Sequence, residues 1–210
     1  MTMSAPWERQ KPSEYYTASD FEKLQWVAGL PARFWNTALS SIRPKGLKIK
    51  EDKEIVNISA ALQTQYLAAR IEQPGLMNAN RLVVMTSSPT DEHALAAACM
   101  LATAAIRRAF DERTVSKVRV DDIQEYEKCL SLKREFYTIA PKLLVIHNLN
   151  PNTSRERLSL VRDLLNANEG VYRVVVAAAE SPFEFAQKSL YMEPNEVYHF
   201  EGRPKKRLVI

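Results

Sequence analysis

Glycine is scarce in this chain: there are five among 210 residues, and none between Gly75 and Gly170. A phosphate-cradling loop needs glycines, because backbone N–H groups wrap an anion only where no Cβ intervenes. The gap therefore excludes such a loop from the middle of the chain. Cysteine is scarcer still. Cys99 and Cys129 are the only two; both fall in predicted helices, and neither has a metal-ligand or redox partner nearby. That excludes a disulfide scaffold and a thiolate metal centre, and it fits a reducing cytoplasm. The three histidines, His93, His147 and His199, come without a spaced carboxylate cluster, so no metal is expected. Long apolar runs are missing too. None approaches the roughly eighteen residues that would predict a membrane span, and residues 1–11 lack the apolar stretch of a signal peptide. Nor does one sign of charge dominate. With 29 basic and 25 acidic residues the net charge is +4, which permits nucleic-acid contact without arguing for it.

What is present points to a folded α/β domain. Hydrophobic residues make up 46% of the chain, enough for a large core, and the length suits one domain with an N-terminal extension. Composition shifts near residue 80. Residues 1–79 hold Trp7, Trp26 and Trp35 and read as an arm followed by helices. Residues 1–16 are polar and aperiodic. Ser19 precedes Phe21, Leu24, Val27 and Ala28, a short amphipathic helix ending near Gly29. Residues 43–53, with Arg43, Lys45, Lys48 and Lys50, predict an exposed basic loop. Residues 55–71 place Ile58, Leu62, Tyr66 and Leu67 at helical spacing until Gln73-Pro74-Gly75 stops the run.

Residues 80–210 alternate strands with helices. Short apolar strands are predicted at 81–86, 117–120, 142–147 and 172–179, with further strands at 196–200 and 207–210. Ser88-Pro89-Thr90-Asp91 reads as a capping box for an alanine-rich helix over 89–110. Caps at 121–124, 153–156 and 181–184 open the later helices. Unbroken apolar strands belong to a sheet buried on both faces, and alternation with helices implies right-handed βαβ crossovers. The predicted fold is a three-layer α/β domain with a mainly parallel sheet.

Such a sheet places its ligand at the carboxyl ends of its strands. The first strand-to-helix turn here reads Ser87-Ser88-Pro89-Thr90-Asp91-Glu92-His93. It contains no glycine and no lysine, and Pro89 removes an N–H that would otherwise meet phosphate. Asp91 and Glu92 put carboxylates at the positive end of the helix, where they satisfy it themselves and repel a triphosphate. The strand at 142–147 runs into His147 and Asn148, where a nucleotide hydrolase of this architecture would carry an acidic pair for magnesium and water. The strand at 172–179 ends in Ala177-Ala178-Ala179, which offers no polar side chain.

In order and spacing, residues 28–200 resemble the bacterial helicase-loader and transposition-ATPase family of the AAA+ class. The resemblance is carried by Gly29-Leu30-Pro31-Ala32-Arg33-Phe34, by 60–69, by 143–149 as a Walker B strand, and by 174–185 as a sensor strand with a Ser-Pro-capped helix. It implies a P-loop NTPase-like core at 80–210. The family's catalytic residues have no competent counterparts here, so a degenerate site without bound nucleotide or cofactor is expected. The predicted role is a non-catalytic adaptor or regulator in DNA replication or transposition, acting through a protein partner or a second copy of the chain. Trp7, Tyr15 and Tyr16 in the polar arm are candidate partner contacts. A DNA-binding accessory factor is the alternative. For it, Arg43, Lys45, Lys48 and Lys50 would share one face with Lys205, Lys206 and Arg207. An unconventional NTPase is the third reading.

Overall fold

The computed structural model describes residues 20–37, 42, 46–51, 54–58, 80–112, 117–125 and 141–201. Within them runs a seven-stranded sheet. Its strands are β1 (Gly46–Glu51), β2 (Glu54–Ile58), β3 (Arg81–Ser87), β4 (Val118–Asp122), β5 (Leu143–Leu149), β6 (Tyr172–Ala178) and β7 (Glu196–Glu201), in the spatial order β2-β1-β7-β3-β6-β5-β4. The five strands from β7 to β4 are parallel. The β1–β2 hairpin joins antiparallel on the outer side of β7. Helices α1 (Asp20–Val27), α2 (His93–Asp111), α3 (Arg155–Ala167) and α4 (Pro182–Phe185) accompany the sheet, and α4 runs on into a wide turn at Ala186–Leu190. The expected α/β fold with a mainly parallel sheet is the one observed.

Because side chains alternate along a strand, each central strand feeds two cores. Val83, Met85, Val145, Val174 and Val176 pack toward Ala94, Ala98, Ala102 and Ile106 of α2. Leu82, Val84, Leu144, Ile146 and Val175 pack toward Val161, Leu164 and Leu165 of α3 and Phe185 of α4. Cys99 lies in the first of these layers, where burial pushes its thiol up to about 12, so it stays protonated and unreactive.

Two expectations in the N-terminal half are corrected. Residues 46–58 form a β-hairpin, with Leu47 opposite Ile58 and Glu51 opposite Glu54. The basic loop predicted at 43–53 and the start of the helix predicted at 55–71 both give way to it. The physical reason lies in the period. Leu47 and Ile49 alternate with Lys48 and Lys50, and Ile55 and Val56 are β-branched, a strand pattern that the charge count obscured. Residues 59–79 lie outside the described set, as does the strand expected at 207–210.

The start of α2 is also corrected. The helix begins at His93, not at Pro89. Residues 88–91 form a tight turn closed by Asp91 N–H donating to the Ser88 carbonyl at 2.9 Å. Pro89 suits the second position of such a turn as well as it suits a helix start. Glu92 precedes the helix without a side-chain cap, and Asp91 Oδ1 accepts from the His93 N–H at 2.8 Å. The other caps are close to expectation. Ser154 accepts from Arg157 N–H, and Ser181 accepts from Glu184 N–H with Pro182 at the first helical position. β4 runs two residues further than expected, and Asp122 accepts from the Gln124 N–H at 2.8 Å.

The segment after α1 crosses the far edge of the sheet. Gly29 turns it with φ +84°, and the Ala28 carbonyl accepts from the Val120 N–H of β4 at 2.7 Å. Leu30 and Phe34 then enter the core beside α2. This strap is what roofs the carboxyl ends of the parallel strands.

Candidate functional site

A cavity of about 650 Å³ opens at the carboxyl ends of β3, β4, β5 and β6, beneath the strap. That is where a parallel α/β sheet presents a ligand. Ser87, Pro89, Asp91 and Glu92 from the β3–α2 turn line it, together with His147 and Asn148 from the end of β5. The two stretches singled out in the sequence are thus brought together around one site.

The β3–α2 turn is tied down by its own groups. Ser87 Oγ donates to the Asp91 carbonyl at 2.7 Å. The Asp91 carboxylate lies against the His93 imidazole as well as the His93 N–H. Glu92 Oε1 meets Arg33 Nη2 of the strap at 2.7 Å, with both side chains exposed. The positive end of α2 therefore faces two carboxylates of the chain itself.

The end of β5 departs from regular strand. Asn148 sits at φ 70°, in the left-handed region that asparagine tolerates better than most residues. The β5–β6 register breaks between Ile146 and Leu149. The Asn148 side-chain N–H group reaches the Asp122 carboxylate at 3.0 and 3.2 Å. His147, one residue earlier, is 5% exposed. Burial lowers its pKa most, Asp122 raises it, and Arg33 lowers it. Its Nδ1 has no hydrogen-bond partner among the described residues. Buried ring nitrogens are ordinarily hydrogen-bonded, and among the described residues this one is not.

The cleft also contains residues that the sequence reading missed. Asp121 and Asp122 end β4. Burial raises the Asp121 pKa, against the opposing pull of Arg119, which pairs with it at 2.8 Å. Trp26, Gly29, Arg33 and Trp35 line the roof. Adjacent aspartates straight after a short strand were the available signal for the floor. Nothing local in the sequence showed that the strap would fold over it. Among the described residues, no group of three or more His, Cys, Asp or Glu side chains is placed to hold a metal.

The basic candidates lie elsewhere or are not described. Lys48, on β1, pairs with Glu201 of β7 at 2.5 Å. Lys50 belongs to the same strand. Trp7, Tyr15, Tyr16, Arg43, Lys45, Lys205, Lys206 and Arg207 lie outside the described residues. His199 lies on β7, with its Nδ1 2.9 Å from Thr86 Oγ1. Among the described residues no helix is long and apolar enough to cross a membrane.

No protein-family profile matches this sequence, and no curated protein matches it. Among solved structures, the DnaC helicase loader superposes with a TM-score of 0.51 over 81% of this chain and 100% of its own, at 13% identity. C. elegans PCH-2 follows with a TM-score of 0.43 over 79% of this chain and 46% of its own, at 14% identity, too low a score to bear on the fold. The likeness to the loader is one of fold, a mainly parallel α/β sheet packed with helices.

Proposed function

We propose that this chain is a non-catalytic adaptor or regulator built on a helicase-loader-type fold, acting through protein contacts in a DNA-replication or transposition setting. One observation carries the reading: the β3–α2 turn is closed by its own side chains. It has no glycine or lysine, Pro89 lacks an N–H, and Asp91 and Glu92 stand at the start of α2. The end of β5 adds to it, because His147 and Asn148 supply no carboxylate for magnesium. The setting comes from the fold shared with a helicase loader, and a protein partner or second copy of the chain is the corresponding ligand. For the DNA-binding alternative, Lys48 is the one candidate whose side chain is among the described residues, exposed and paired with Glu201.

Calorimetry with magnesium and ATP or GTP tests the reading. No binding at micromolar nucleotide is the expected result. A tight, magnesium-dependent isotherm would overturn it.

A further inference from the structure

The carboxyl ends of β5 and β6 open on a second cavity, of about 980 Å³, between the start of α3 and the wide turn after α4. Arg155, Arg162 and Lys188 line it, with Glu180 and Glu184 as its acidic groups. Lys188 and Glu184 pair with each other, which leaves two arginines against Glu180. Neither arginine has a carboxylate partner among the described residues. The sequence shows why. Leu158, Ser159, Leu165 and Asn166 stand one turn from them on α3, where an acidic residue would have had to be. Arg162 turns instead to an aromatic ring. Its guanidinium, half-buried, lies 5.0 Å from the ring centroid of Tyr191. Such stacking uses the face of a guanidinium and leaves its N–H edge for carboxylates.

Tyr191 is a second, independent sign. It is 75% exposed and sits at φ 51°, a left-handed conformation that is costly for a residue with a Cβ. The Ala186 carbonyl accepts from both the Tyr191 and the Met192 N–H, closing a wide turn of a kind found most often at functional sites. Met192 packs back on the core, so the turn is anchored while the ring stands in water. Tyrosine and arginine are the residue types that carry much of the binding energy at protein interfaces. Leu158 and Phe185 add an apolar floor. A nucleic acid fits less well, because its unbroken row of phosphates would run past Glu180 and Glu184. The spaced carboxylates of a peptide need not.

We propose that this groove docks an acidic segment of a protein partner. Its carboxylates meet Arg155 and Arg162, and one of its apolar side chains packs with Tyr191, Leu158 and Phe185. The inference names a partner surface for the adaptor reading and rests on that reading.

The test selects binders to the full chain from a displayed library of random short peptides, then measures the selected peptides by fluorescence anisotropy. They are expected to be rich in Asp and Glu, to carry an aromatic or leucine side chain, to bind in the micromolar range and to weaken as salt rises. Arg162→Gln and Tyr191→Asn should each weaken them by about tenfold, and the exposed Arg155→Gln by about threefold. Asparagine is chosen at 191 because it tolerates the left-handed backbone while removing the ring. Thermal melts establish that the variants are folded, and should Tyr191→Asn fail to fold, the arginine variants still decide. No selected peptide, peptides without carboxylates, or affinity unchanged in the folded variants would each overturn the proposal. So would tighter binding of oligothymidine at this face, or self-association in sedimentation that Arg162→Gln abolishes, which would make the occupant a nucleic acid or a second copy. Magnesium-ATP is titrated in parallel. Failed selection with no ATP binding removes this inference alone, whereas an ATP isotherm removes the adaptor reading beneath it.

Discussion

Gly29 does work at the residue scale that no other amino acid could do without rearrangement. Its φ is +84°, and a Cβ built there would lie 2.3 Å from the Val120 carbonyl oxygen. Both the backbone conformation and the space exclude a side chain. The atom it would strike is backbone of β4, which has no rotamer with which to yield. Gly29→Ala should therefore destabilise the chain by about 2 kcal/mol or more, read from the midpoint of a urea transition. An unchanged midpoint would mean that the strap is not docked in solution. Arg173 shows the opposite kind of residue, one that looked out of place in an apolar strand. It is 7% exposed, and its Nη1 and Nη2 donate to the Leu165 carbonyl and Asn80 Oδ1 at 2.9 and 2.8 Å. Its charge is buried, and burial pulls its pKa down against the opposing effect of Glu169.

At the scale of elements, α2 is the central support of the cleft. Ala94, Ala98 and Ala102 are wholly buried on its sheet-facing side, so small side chains set how closely the helix approaches the strands. Ala98→Leu inserts three carbons into a layer with no room and should cost about 1–3 kcal/mol, measured by thermal or urea unfolding. A neutral outcome would show a void beside the helix. The parallel strands were legible because Val83-Val84, Leu144-Val145 and Val174-Val175 are unbroken apolar runs between capped helices. The hairpin was not, because four basic residues in one short stretch drew attention to charge and away from the alternation of Leu47 and Ile49. The α2 start was misplaced for a different reason. Ser-Pro-Thr-Asp serves a turn and a helix cap equally well, and only the hydrogen bonds distinguish them. Half of the site was likewise readable: the β3 and β5 ends followed from strand order, but the roof came from a segment more than fifty residues away in sequence.

The whole molecule should respond to acid through two histidines, His147 buried and His199 half-buried. Burial lowers the pKa of both His147 and His199 in the folded state. The unfolded chain therefore binds more protons in the window below roughly 6.5, the ordinary histidine value. Stability is fully present above that window and falls as pH drops through it. Asp121, raised by burial, acts with the opposite sign from roughly pH 4 upward. Urea midpoints between pH 7.5 and 5.5 should decline for the natural chain and decline less for His147→Phe, taken relative to its own value at pH 7.5. Parallel profiles would show that His147 is not neutral and buried in solution.

The order of strands in space has a consequence for the order of events in time. The β1–β2 hairpin is made early, yet its link to the rest of the sheet is β7, which is made last among the described strands. On the ribosome the hairpin must wait through the synthesis of β3, β4, β5 and β6 before its place beside β7 exists. Until then β3 is an open edge, and the hairpin is a detached ribbon that is marginal alone in water. The final strand is thus a keystone, and assembly of the full sheet is a late, long-range event that no early fragment of the chain can rehearse.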